Sequence, residues 1–235
     1  MKFQIDQKIF ETFPGLNIGV VVVKGINNSV PTSDAILGQL QMKQTAIRSQ
    51  YQVETFSQQP KIDIWHKAYA KFGGKPKENR SSVENLHRMI LRGITLRSIN
   101  PIVDIYNLIS ISHMLPCGGE DLDKLKGDLL LTFAGPDEVP VHLLGEKEAR
   151  PPHEGEVIYK DATSTICRRW NWREADRTKL TTETKNCILV IEGLPPVTKA
   201  EIEAATNELG EQVKKICGGN FKSAILDSAT KELEI

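Results

Sequence analysis

The chain is poor in the groups that declare a chemistry outright. Its four cysteines, Cys117, Cys167, Cys187 and Cys217, lie too far apart along 235 residues to make a CxxC pair or a local zinc-ligand spacing. They read as reduced structural thiols, and neither a metal nor a cofactor is expected. No apolar run approaches the ~20 residues that a membrane-spanning helix needs. Residues 1–6 (Met-Lys-Phe-Gln-Ile-Asp) contain neither an uninterrupted apolar region nor a small-residue cleavage site, so the expected location is the cytoplasm. Net charge is absent too: 30 basic residues balance 30 acidic ones. Gly118-Gly119 lacks the longer glycine pattern and the Lys-Ser/Thr of a phosphate loop. No Ser/His/Asp or Cys/His set stands out, and there is neither an internal repeat nor a low-complexity tract.

What is present is ordinary for a globular chain, with 40% hydrophobic and 26% charged residues. The length suits one large domain or two small ones. Charge is unevenly spread: residues 40–100 hold 11 Lys or Arg against 4 Asp or Glu, and residues 101–150 hold 4 against 9. The basic region can face phosphates or be a solvated helix surface.

Residues 16–23 (Leu-Asn-Ile-Gly-Val-Val-Val-Val) are nearly continuous β-branched residues and predict a strand covered on both faces. Thr32 or Ser33 can cap a helix running to about Phe56, and Pro60 opens another whose Ile62, Trp65, Tyr69 and Phe72 form one stripe. Ser81 with Glu84, and Thr198 with Glu201, are candidate capping boxes. Asn100-Pro101 starts an apolar helix whose exceptions, Asp104 and Asn107, share a face, as a core hydrogen-bond pair or as the wall of a polar pocket. Residues 113–121 read as a loop. Residues 128–133, 139–144, 156–161 and 163–167 read as short strands of a mostly antiparallel sheet. The order of elements predicts an α+β fold of packed layers in one unit. Residues 1–80 supply an N-terminal strand and helices, with the fewest motifs, and residues 81–235 the rest.

The densest stretch is 168–179, where two tryptophans sit among four arginines and a lysine. If residues 168–173 are extended, Arg168, Trp170 and Trp172 share one face and Arg169, Asn171 and Arg173 the other. Ion pairing with Glu174, Asp176 or Asp161 is the purely structural alternative for these arginines.

Four segments carry a family resemblance: 84–90 (Glu-Asn-Leu-His-Arg-Met-Ile), 100–107 (Asn-Pro-Ile-Val-Asp-Ile-Tyr-Asn), 118–123 (Gly-Gly-Glu-Asp-Leu-Asp) and 168–178. Together they resemble the B3/B4 domain, the tRNA-binding and editing module of the phenylalanyl-tRNA synthetase beta subunit, and above all its free-standing relatives. The resemblance implies a B3/B4-like fold and hydrolysis of a wrongly attached amino acid. By that likeness Asn107 lines the pocket and Glu192 corresponds to the glutamate that recognises a tyrosine hydroxyl. Gly118 stands where the family has its editing histidine, which makes Arg169, Asn171 and Arg173 the expected replacements.

Three functions follow as expectations. The first is a stand-alone deacylase, in which Asn107, the amides of Gly118 and Gly119, and Arg169 or Arg173 bind the aminoacylated 3′ end of a tRNA, with the terminal ribose hydroxyl assisting. The second is a non-catalytic RNA-binding module. The third is an amino-acid or small-molecule binding protein that has lost tRNA.

Overall fold

The β-branched run is the keystone of a computed structural model that describes all residues 1–235. It forms β2 (Asn17–Lys24), between β8 (Asn186–Gly193) and β9 (Asn220–Leu226). With β3 (Cys117–Asp121) at the edge beyond β8, these make an antiparallel four-stranded sheet. Alternation along β2 divides the core. Ile18, Val20 and Val22 face a second sheet, and Val21 and Val23 face helices, so the strand is covered on both sides as its composition requires.

The second sheet has six strands, β10 (Glu232–Glu234), β1 (Lys2–Ile5), β4 (Leu129–Phe133), β5 (Val157–Lys160), β6 (Thr165–Arg168) and β7 (Arg173–Glu174), in that spatial order. Only β1 and β4 run parallel. Helices α2 (Asp34–Gln50), α4 (Ser82–Leu91), α5 (Pro101–His113) and α6 (Lys199–Cys217) cover the outer face of the four-stranded sheet. Helices α1 (Gln7–Thr12) and α3 (Pro60–Lys71) send Phe10, Trp65 and Tyr69 into the space between the sheets. The fold is therefore α+β, three layers deep. Strands from residues 1–80 lie between strands from residues 81–235 in both sheets. No helix is long and apolar enough to cross a membrane.

The packing is close at Gly19, where a Cβ would lie 1.8 Å from Thr206 Oγ1 of α6. Thr198 and Glu201 form the expected capping box at the start of α6, and Asn100 caps α5 by accepting from the Val103 amide. All four cysteines are buried and free.

Several expectations are corrected. Helix α2 stops at Gln50, because Tyr51 turns extended and packs on Phe56. Residues 117–121, read as a loop, are β3: the two glycines allow close pairing with β8, and a Cβ on Gly119 would lie 2.4 Å from Leu189 Cδ2. Residues 139–144 make only isolated bridges, Val141 with Arg150 and Leu143 with Ala175, beside Pro140, which has no amide to donate. The Ser81–Glu84 box does not form: Ser81 makes no side-chain cap bond. Asp104 is not paired with Asn107. It accepts from Thr32 and Ser98 and from the Ile99 amide.

Candidate functional site

Between the two sheets lies a cavity of about 230 Å³. One wall comes from the four-stranded sheet, through Gly118 and Glu120 of β3 and Ile188, Val190 and Glu192 of β8. Strand periodicity of two puts each of these groups on one face. The facing wall carries Tyr159, Cys167 and Glu174 of the six-stranded sheet, and Ser82, Trp172 and Arg173 complete the lining.

The segment from Arg168 to Arg173 does not run extended. It turns after β6, with the Trp172 amide donating to the Arg169 carbonyl at 3.1 Å, so the expected alternation of faces fails. Trp170 takes a positive φ of 56°, uncommon for a bulky residue, and its surroundings hold it there. Its ring is fully buried, 4.7 Å from Phe13 and 5.1 Å from Trp65, and its Nε1 donates to Glu192 Oε1 at 2.7 Å. Trp172, by contrast, is half-buried, with Arg173 stacked 4.7 Å over its ring.

The arginines are occupied. Arg168 donates through Nε and NH2 to both oxygens of the buried Glu156, each at 2.8 Å. Arg169 reaches the same carboxylate at 3.0 Å and also holds Asn79, and it is not part of the cavity lining. Arg173 pairs with Glu146 at 3.0 Å while lining the rim, and Arg177 pairs with Asp161. Of the expected site residues, Gly118, Gly119, Asn171, Arg173 and Glu192 meet at the cavity, whereas Asn107 on α5 and Arg169 are not among its lining.

Glu192 is held by three donors of its own protein. Oε1 accepts from the Tyr159 hydroxyl at 2.5 Å and from Trp170, and Oε2 accepts from Asn171 Nδ2 at 2.6 Å. Burial pushes its carboxyl above the usual range, and these three donors pull it back.

Two carboxyls that motif reading passed over complete the site. Glu174 Oε1 lies 3.3 Å from where a Cβ of Gly118 would stand, so it occupies the room that this glycine leaves. Burial raises the Glu174 carboxyl to about 7, against a lowering influence of the Gly119 amide. Its side chain is half-buried and lines the cavity. Glu120 is raised well above the carboxylate range by burial first and by Glu174 second. The signal available in sequence was spacing: Glu120 follows Gly118 by two residues, and Glu174 adjoins Arg173. Nothing in that spacing brings the two strands together. No three His, Cys, Asp or Glu side chains form a metal-binding group.

Comparison with curated proteins gave no match. Among solved structures the chain is similar to an N-terminal fragment of the phenylalanyl-tRNA synthetase beta-subunit from Pyrococcus horikoshii, at 13% identity and a TM-score of 0.47. That likeness covers 92% of this chain and 49% of the fragment, so the chain spans about half the length of that relative. Residues 64–218, well over half of the chain, match the profile of the B3/4 domain. A match of that extent takes in β3 to β8 and α4 to α6, and the chain belongs to the B3/4 domain family.

Proposed function

We propose that the protein is a stand-alone, tRNA-interacting B3/4 domain that hydrolyses the ester of a mischarged aminoacyl-tRNA in trans. The observation that carries this reading is the small acidic cavity with Glu174 set against Gly118. At about 230 Å³ it is smaller than the pockets of ~300 Å³ and more that enclose drug-sized ligands, and an amino-acid side chain suits it while a nucleotide stays outside. A free amino acid brings a carboxylate whose charge a desolvating cavity lined by Glu120, Glu174 and Glu192 disfavours. Esterification removes that charge, so the ester enters and the acid product is expelled.

Glu174 is the general base of this reading. It takes a proton from a water as the water oxygen bonds to the ester carbonyl carbon. When the bond from that carbon to the ribose oxygen breaks, the proton passes to the ribose oxygen. A carboxyl at about 7 is matched to this duty at neutral pH. Arg173 at the rim offers positive charge to the developing oxyanion. Lys75 and Lys77, both exposed, precede the rim residue Ser82 and offer charge to tRNA phosphates.

Incubating the purified protein with a set of mischarged tRNAs tests the reading. At least one ester is expected to be cleaved faster than in buffer, with Glu174→Gln lowering kcat by roughly 10²- to 10⁴-fold and tRNA binding retained. Cleavage of no ester above the buffer rate overturns it.

A further inference from the structure

We infer that the cavity selects an amino acid with a positively charged side chain, an ammonium or guanidinium terminus received by Glu120. The inference deepens the aminoacyl-ester reading and rests on it. Glu120 and Gly118 share one face of β3, and Glu174 fills the space in front of Gly118, so two carboxyls converge on the same volume. Glu120 is only 7% exposed and lines the cavity; its Oε2 makes no well-formed hydrogen bond within the protein, the Thr178 hydroxyl being the side-chain donor beside it. Ser82 Oγ, on the same lining, is also unpartnered. A buried carboxyl oxygen left without a donor is costly, and an unfilled one facing a cavity marks the place of a ligand donor.

Charge decides what that donor is. The other carboxylate of the lining, Glu192, already accepts from Tyr159, Trp170 and Asn171, so most of its acceptor capacity is spent within the protein. The lining's one cation, Arg173, is held by Glu146. A neutral donor such as a phenol satisfies one oxygen and leaves Glu120 and Glu174 in the uncharged form that burial favours. An ammonium or guanidinium supplies several N–H donors and the counter-charge that lets a buried carboxyl ionise. The methylenes of a lysine- or arginine-like side chain have Leu129, Ile188 and Val190 to pack against, with only the terminus reaching a carboxyl. Glu120, more enclosed than Glu174, receives the terminus, and the ester stays beside Glu174.

The test uses pairs of esters that match in shape and differ in charge, loaded on one tRNA: lysyl against norleucyl, and arginyl against citrullyl. The expected result is that the cationic member of a pair is cleaved with a kcat/KM at least 10-fold higher, and that the nearly isosteric Glu120→Gln collapses this ratio roughly 10- to 100-fold. Unchanged thermal unfolding of the variant separates this from misfolding. Equal or faster cleavage of the neutral members overturns the inference and leaves the hydrolase reading standing. If no ester is cleaved, the hydrolase reading fails, and calorimetry with agmatine and cadaverine, which lack a carboxylate, decides the inference alone. Binding that Glu120→Gln abolishes supports it, and absence of binding overturns it.

Discussion

Glu156 and Glu174 show how little a residue's identity says about its duty. Glu156 lies buried under Arg168 and Arg169 and serves as their counter-ion, which removes two conspicuous arginines from any role in holding a ligand. Glu174, at the end of the same arginine-rich stretch, has no such partner and faces the cavity. Its raised carboxyl has a measurable consequence. The folded state holds its proton up to about pH 7, whereas the unfolded chain releases it near 4.5, so stability falls as pH rises between these values. Glu174→Gln is therefore expected to be more stable than the wild type at pH 8 and to lose that advantage below about pH 4.5. Urea unfolding at the two pH values checks this; an advantage that is the same at both shows that Glu174 is not the group responsible. In sequence a paired arginine and a free one are written alike, and so are a counter-ion and a base. Burial and neighbours, both tertiary, separate them.

At the scale of elements, two segments with the same capping-box spelling behave differently. Thr198 and Glu201 close the box, and Glu201 also meets Lys61 of α3 at 2.8 Å, which holds its carboxyl down at about 2. Glu84 instead turns to His66 at 2.7 Å, with Arg80 and Arg88 nearby, and Ser81 caps nothing through its side chain. A competing ion pair across elements outweighs a local hydrogen bond where the carboxylate is buried, because a buried charge needs a counter-charge. Thr198→Ala should consequently lower global stability by about 1 kcal/mol, whereas Ser81→Ala should cost less through loss of a cap, a contrast that thermal or urea unfolding resolves. Helical starts at Pro60 and Asn100-Pro101, and the strand at 17–24, were legible because the signals are local. Residues 117–121 were not, since a glycine pair reads as a turn until β8 is beside it.

For the whole molecule, the two sheets place the cavity, and neither sheet is continuous in sequence. β3 meets β8 across about 70 residues, and β7 joins by way of β6, so Gly118, Glu192 and Glu174 come together only when both sheets close. The basic segment 75–80 lies just before Ser82 of the cavity lining in sequence. If tRNA docks there, replacing Lys75 and Lys77 by Ala should weaken its binding and flatten the dependence of log K on log salt by about 1 for each phosphate no longer neutralised. An unaltered slope in filter binding or fluorescence titration moves the tRNA surface elsewhere. The sequence by itself determined the α+β class, the central strand, the main helix starts and the likeness to the B3/4 family, because hydrophobic periodicity and capping residues act over a few neighbouring positions. Only the tertiary structure decided that the arginines are spent on Glu156, Glu146 and Asp161, that Glu192 is satisfied internally, and that Glu120 and Glu174 share one cavity. Those outcomes depend on which strands meet face to face, and side-chain charge and burial are properties of that meeting.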